Sequence, residues 1–452
     1  MDEAAFQQRL ASSGLSASQA SVKARLLVDA TNALRATVVS SDNFHYWFIP
    51  GRIEFLGKHT DYAGGRSLIC ALERGFCVAA STRDDASVRI TDAGRNNHTK
   101  FSLSPELIPP AGHWSNYPMT VASRLAQNFP GTLHGADIAF ISDLPRAAGL
   151  SSSSALVIAI FCALARVNGL EQRDEYRNNI QSLEDLAGYL GSVENGQSFG
   201  SLSGSKGVGT FGGSQDHTAI LCCRPDELSQ YSFCPVRRER SIALPDDYVF
   251  VIGVSGVSAD KTGDAIEKYN RVSLLAADVL ATWRRASGRA DATLMAAATS
   301  SADASERMRE ALRASRSSVF SPRELLDRFE QFMVECTEII PGVAQALAAG
   351  DLDKIGVLID RSQDAADRLL GNQVPETIAM ARLARELGAV AASAFGAGFG
   401  GSVWAMVKAD HAESFKAEWA ARYRSLFSGP AQRSVFFRSC AGPAMLEFSN
   451  RS

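Results

Sequence analysis

The hydrophobic pattern changes character several times along the 452-residue chain. Over residues 1–40, Phe6, Leu10, Leu26, Leu27, Ala30 and Leu34 recur at steps of three or four, the spacing of one helix face, and predict a leading helical segment. From Phe44 to Ile90 the apolar positions gather into β-rich pieces at 46–49, 67–72, 76–81 and 88–91, separated by glycine and charged turns. A helix is predicted over 114–128, a strand over 135–141, and a long apolar helix over 151–167 that opens on a serine run. This mixture predicts an α+β first half. Residues 199–213 are too rich in serine and glycine to hold a helix, and they deliver the polar cluster Ser214, Gln215, Asp216 and His217. The run 248–254 predicts a buried strand. Around it a second domain begins, with helices over 264–388 and strands returning at 403–407 and 435–437. The stretch 286–321, dominated by Ala, Ser, Arg and Asp, predicts an amphipathic helix with a polar insertion. No fixed-period repeat is present, which excludes a solenoid.

Composition narrows the class. With 46% hydrophobic and 21% charged residues the chain is neither disordered nor a membrane protein by composition. A formal net charge of −3 supplies no global field for nucleic acid or anionic membrane, so neither is an expected partner and any anion site must be local. The eight cysteines form no CxxC pair and mostly sit among apolar neighbours, as buried thiols of a reducing compartment do. The acidic start Met1-Asp2-Glu3 lacks a signal-type apolar core, and the longest apolar run, 155–165, is shorter than the ~20 residues of a spanning helix. The expected address is the cytoplasm. Oligomeric state is not set by the sequence, and a monomer is compatible with it.

Three glycine-rich segments compete as phosphate cradles. Gly207, Gly209 and Gly212, and again Gly396, Gly398 and Gly401, carry dinucleotide-fingerprint spacing, yet neither set lies between a strand and an immediately following helix. Lys261-Thr262 echoes a Walker A lysine, but Asp260 stands where glycine is required. The third segment runs from Leu144 to Ala155 and includes Gly149, Leu150, Ser151, Ser152, Ser153 and Ser154. It follows a predicted strand and opens a long helix whose first N–H groups lack intrahelical partners and suit an anion. The alternative is a serine N-cap over an ordinary core helix.

The segment Gly51-Arg52-Ile53-Glu54-Phe55-Leu56-Gly57-Lys58-His59-Thr60-Asp61-Tyr62-Ala63-Gly64-Gly65 resembles the signature of galactokinases. The serine loop resembles the second motif of the GHMP small-molecule kinases to which they belong, and Gly396-Ala397-Gly398-Phe399-Gly400-Gly401 resembles the third. The resemblance implies the two-domain GHMP fold of class α+β: an N-terminal domain over 1–245 of ribosomal-protein-S5-like type and a ferredoxin-like C-terminal domain over 246–452. The active site would lie in the cleft between them. It also implies transfer of the ATP γ-phosphoryl group to a sugar hydroxyl, in galactokinases the anomeric one. Asp216 is then similar to the catalytic carboxylate and Arg52 to its cationic neighbour. A carboxylate can orient and deprotonate a hydroxyl, while a guanidinium favours charge near the phosphoryl group. Trp114 resembles the aromatic residue that packs on adenine. Magnesium is implied as well, its serine ligand aligning with Ser153, with a slip to Ser154 open, and its acidic ligand with Glu194. The segment 201–206 reads as an insertion between Glu194 and Asp216.

The implied sugar contacts are Lys58, His59, Asp61, Gly213 and Tyr269. Lys58 departs from the family, where glutamate accepts a hydrogen bond from the exocyclic end of galactose; an ammonium can only donate. Two outcomes are expected: Lys58 meets a sugar oxygen or the carboxylate of a uronic acid, or it turns to solvent and galactose is kept by the other contacts. Two further readings stay open: a galactokinase-like sensor that binds without phosphorylating, and, within the superfamily, a kinase for a different small alcohol or a decarboxylase that phosphorylates an acid.

Overall fold

The computed structural model describes residues 1–38, 43–259 and 264–448. The opening periodicity forms the helices Glu3–Ser12 and Ala17–Arg35, whose buried Phe6, Leu10, Leu27, Ala30 and Leu34 pack on Tyr46, Phe48, Cys77 and Ala79. Those last four residues belong to the first two strands of a mixed sheet. Its members are β1 (Phe44–Leu56), β2 (Arg66–Thr82), β3 (Ser87–Asp92), β4 (Asn97–Ser102), β5 (Ala136–Ser142), β6 (Glu227–Ser232) and β7 (Arg237–Ala243). The chain then enters a second sheet of β8 (Tyr248–Val254), β9 (Ala391–Phe395), β10 (Ser402–Lys408) and β11 (Val435–Ser439). It returns to the first sheet for β12 (Ala441–Gly442) and β13 (Leu446–Phe448).

The first sheet has the order β13-β1-β2-β5-β3-β4, with β12 and the β6–β7 hairpin joined to β2. Only β3–β5 is parallel among its pairings. The second has the antiparallel order β11-β8-β10-β9. The predicted pieces 67–72 and 76–81 are one strand, because β2 runs on through Gly75 opposite Pro50 of β1. β4, β6 and β7 were not anticipated: β4 and β7 are largely exposed edge pieces whose polar residues carry little period-two signal.

The apolar helix Ser152–Asn168 is buried all round from Ser154 to Ala165. It lies between β1–β2 and the helices Asn116–Asn128 and Leu183–Asn195. The stretch 286–321 holds the expected amphipathic helix, at Ala304–Arg313, but packs a second helix where a polar insertion was expected. It forms the helices Leu294–Ala298 and Ala304–Arg313, which close a separate apolar core around Trp283, Met308, Leu312, Phe320 and Phe329. The segment 201–206 is tied down, with Gln127 and Asn128 donating to the carbonyls of Gly204 and Ser203 and Arg124 to Ser205 Oγ.

The helices Pro322–Val334 and Ile340–Ala349 are continuous through a π turn at Glu335–Ile339. Among the described residues this is the one helix long and apolar enough to cross a membrane, and half of its apolar window is buried within the protein. Its Arg328 and Glu335 are buried with protein hydrogen-bond partners, as in a packed core helix. All eight cysteines are free thiols; five are buried, while Cys222 and Cys440 are half-buried and Cys234 is exposed. Asp260, Lys261 and Thr262 lie outside the described residues.

Candidate active site

After β5 the chain turns through Gly149 (φ +69°) and Ser151 (φ +61°) into the helix Ser152–Asn168. Ser151 occupies the N-cap position in the left-handed region, yet its side chain makes no cap bond and its hydroxyl is buried without a partner. Simple capping therefore does not account for this serine. Unpaired first-turn N–H groups beside an orphan hydroxyl are what a bound anion satisfies. The third glycine motif backs this loop. A Cβ on Gly396 would stand 2.7 Å from the Gly149 carbonyl, and Ser402 donates to the Ala148 carbonyl at 2.6 Å. These glycines permit close packing on the serine loop.

Across from it stand Arg52 and Asp216. Arg52, on β1, donates through Nε to Asp216 Oδ1 at 2.8 Å and through Nη1 to the Gly149 carbonyl at 2.5 Å. One guanidinium thus joins the carboxylate to the serine loop, and it is 3% exposed. The sequence pattern put Asp216 on a loop; it lies in the first turn of a short helix, Gln215–Cys222, that the preceding glycines obscure.

Glu194, near the end of the helix Leu183–Asn195, accepts from Ser154 Oγ at 2.9 Å and faces His217 Nε2 at 3.3 Å. Ser153 lines the same cavity one residue earlier. Among the described residues no cluster of three or more His, Cys, Asp or Glu side chains could hold a metal alone. One carboxylate with adjacent hydroxyls is a partial, hard-oxygen donor set. Such a set fits magnesium, which keeps waters and takes phosphate oxygens as further ligands.

The sugar loop follows β1. Asp61 is buried, and its Oδ2 accepts from the Gln215 backbone N–H at 3.0 Å. Burial raises its pKa, the Gln215 N–H pulls the other way, and the Asp216 charge raises it further. Gly213 makes this approach possible, since a Cβ there would sit 2.4 Å from Asp61 Oδ2. The ring nitrogens of His59 face the Tyr62 hydroxyl at 3.1 Å and the Ala397 carbonyl at 3.0 Å, and the carbonyl takes its bond from an Nε2 proton. Tyr269 stacks obliquely on His59 with centroids 5.4 Å apart, and burial pushes its hydroxyl pKa well up.

Glu54 escaped the sequence reading. It is 4% exposed, Oε2 accepts from Gln215 Nε2 at 2.7 Å, and Oε1 has no partner. Burial lifts its pKa to about 7, against the pull of Arg52 and Lys58. A carboxylate two positions after Arg52 in an otherwise apolar strand was the available signal.

One cavity of about 560 Å³, within the ~300–1,000 Å³ of small-molecule sites, touches all of these groups. Its wall includes Arg52, His59, Asp61, Trp114, the whole run from Gly149 to Ser154, Glu194, Gly213, Asp216 and Tyr269. Trp114 sits there with its indole edge-on to Phe140, centroids 6.4 Å apart. Lys58 is the exception among the expected contacts. It is absent from the wall, 1% exposed, and bonded to Ser393 Oγ at 2.8 Å, so it meets neither the sugar space nor solvent. Its partners come from the far lobe, and no local pattern marks them.

The comparisons bear on the same segments. Residues 36–82 match the galactokinase galactose-binding signature, 116–196 the GHMP kinases N terminal domain and 343–425 the GHMP kinases C terminal domain. A galactokinase of Actinobacillus pleuropneumoniae is 39% identical over 113 residues, 25% of this chain and 29% of that protein. A galactokinase of Glaesserella parasuis is 26% identical over 380 residues, 83% of this chain and 88% of that one. The crystal structure of Lactococcus lactis galactokinase complexed with galactose superposes with a TM-score of 0.75 at 21% identity, covering 93% of this chain and 100% of that one. This last likeness establishes the fold. The matched segments hold Arg52 and the serine-rich helix start, two of the groups that line the cavity. By these matches the chain is similar to the GHMP kinases and, among them, to the galactokinases.

Proposed function

We propose that the protein is an ATP-dependent galactose kinase that transfers the γ-phosphoryl group to the anomeric hydroxyl. The observation that carries this reading is the Arg52–Asp216 pair, which shares one cavity with the free N–H groups of the serine loop and with the sugar loop. Asp216 accepts the proton of the attacking hydroxyl, which as an alcohol is a weak nucleophile at neutral pH. Arg52 holds that carboxylate in place and contributes positive charge beside the phosphoryl group in transit. Residues 149–154 receive the triphosphate, and Trp114 stacks on the base. Magnesium, when bound, neutralises charge on the phosphate oxygens; Glu194 with the Ser153 or Ser154 hydroxyl would hold it. Asp61, Tyr269, the Gly213 backbone and His59 surround the sugar. Lobes spanning 1–245 and 246–452, the second of which returns its closing strands β12 and β13 to the first sheet, would supply these groups from two sides, in a cytoplasmic enzyme with ATP at hand.

The lining favours a neutral hexose over a uronic acid. Glu54, Asp61 and Asp216 all border the cavity, whereas the ammonium of Lys58 lies outside it. A substrate carboxylate would meet like charge there. The test is ADP release with ATP and magnesium over galactose, other hexoses, pentoses and galacturonate, repeated with Asp216→Asn. Galactose is expected to lead, and the substitution to lower its kcat by ~100-fold or more. Preference for galacturonate, or an undiminished rate in Asp216→Asn, overturns the assignment.

A further inference from the structure

Excluded from the sugar space, Lys58 is buried where the two lobes meet. Its ammonium lies 2.8 Å from Ser393 Oγ on β9 and 3.4 Å from Ser362 Oγ on the helix Leu352–Ala365. The Ser362 hydroxyl donates to Glu335 Oε2 at 2.8 Å, and Glu335 Oε1 accepts from the Gly57 N–H at 2.8 Å. Cation and carboxylate therefore meet through one hydroxyl and grip adjacent residues of the sugar loop. Burial works against the ammonium, and the charges of Glu335 and Glu54 support it, in that order.

The helix Pro322–Val334, which runs on into Glu335, holds Lys58 and His59 as well. Gln331 Nε2 donates to the Lys58 carbonyl at 3.3 Å, and Arg328 Nη2 to the His59 carbonyl at 2.5 Å. Residues 328, 331 and 335 are three and four apart and share one helix face, so three consecutive loop residues are each bound by a side chain from that face. Glu335 opens the π turn, a local irregularity that often marks functional positions. The loop needs the support: His59 has φ +56°, a left-handed conformation that a non-glycine residue keeps only when its surroundings hold it.

We infer that Lys58 is a positioning residue: its buried ammonium balances Glu335 and Glu54 and, with Arg328, Gln331 and Glu335, clamps the sugar loop to the second lobe. His59 and Asp61 are thereby presented to the acceptor in one geometry. The inference rests on the sugar-kinase reading. A buried carboxylate stripped of its cation is costly, whereas removing both charges with shape retained is tolerated far better. That asymmetry separates a clamp from a substrate contact.

The experiment is a double-mutant cycle in the full chain with Lys58→Met, Glu335→Gln and the pair, read as KM for galactose, KM for ATP and kcat. Lys58→Met is expected to raise the galactose KM about tenfold with the ATP KM within about twofold, and the double variant to recover most of that loss. An unaffected Lys58→Met reduces the residue to packing and overturns the inference. A double variant as impaired as Lys58→Met points to direct sugar contact and overturns it too. If Lys58→Met does not fold, the comparison becomes Glu335→Gln against the double, and a double no better than that single is the refuting result. Parental turnover of galactose is the control. Its absence defeats the kinase reading alone, and the cycle is then decided on Tm, where the double must exceed at least one single.

Discussion

Replacing Glu54 with glutamine should make the protein's stability less dependent on pH. Glu54 sits 4% exposed on β1, with one carboxylate oxygen on Gln215 and the other unpaired. Burial lifts its pKa from 4.5 to about 7, despite Arg52, Lys58 and the Gln215 hydrogen bond, all of which favour the charged form. Between those two values the native chain holds a proton that the unfolded chain has already released. The contribution of this group is therefore complete below pH 4.5, declines as pH rises, and is gone above about 7. At ~1.4 kcal/mol per pH unit the full span is about 3 kcal/mol, of which about 2–3 kcal/mol falls between pH 5 and 8. Glu54→Gln keeps an acceptor for Gln215 and has no proton to lose. Urea unfolding followed by tryptophan fluorescence, run on parent and variant at pH 5, 6, 7 and 8, reads the effect, because titrating groups that do not interact with Glu54 cancel in the difference. The variant should gain on the parent by about 2–3 kcal/mol across that range. Curves that stay parallel within about 0.5 kcal/mol would show that Glu54 titrates at its ordinary value, and the reasoning from burial would fail.

Two further outcomes follow from the site geometry. Arg52→Lys should lower kcat by ~100-fold or more while the protein still folds, because one ammonium cannot reach both Asp216 Oδ1 and the Gly149 carbonyl as the guanidinium does; wild-type kcat in a galactose assay would contradict this. Gly213→Ala forces a methyl to 2.4 Å from Asp61 Oδ2 and breaks the Gln215 N–H contact. The galactose KM should rise ~10–100-fold, with the ATP KM unmoved, in steady-state kinetics.

How much of this was readable beforehand depends on where each residue's partners lie. The serine loop, the sugar loop and the third glycine motif announced themselves because glycine and serine at fixed spacing reflect local backbone demands, such as the left-handed turn at Ser151 and the close pass of Gly396 over Gly149. Arg52 and Asp216 stand 164 positions apart, yet each carried a local mark, one inside the first motif and one after a glycine run. β4 and β7 were missed because largely exposed edge strands show little alternation, and the helix around Asp216 because the glycines before it mask its start.

Lys58 is the instructive failure. Set against a motif that has glutamate there, a lysine leaves two outcomes, a changed ligand or a side chain turned to solvent, and the structure answers with neither: its partners are Ser362 and Ser393, which lie 304 and 335 positions further along the chain. A buried charge must be balanced by something within a few ångströms, and that something can be substrate or protein with equal chemical plausibility. The sequence displays one side of the balance. Only the fold, by laying the helix through Arg328, Gln331 and Glu335 along the sugar loop, displays the other.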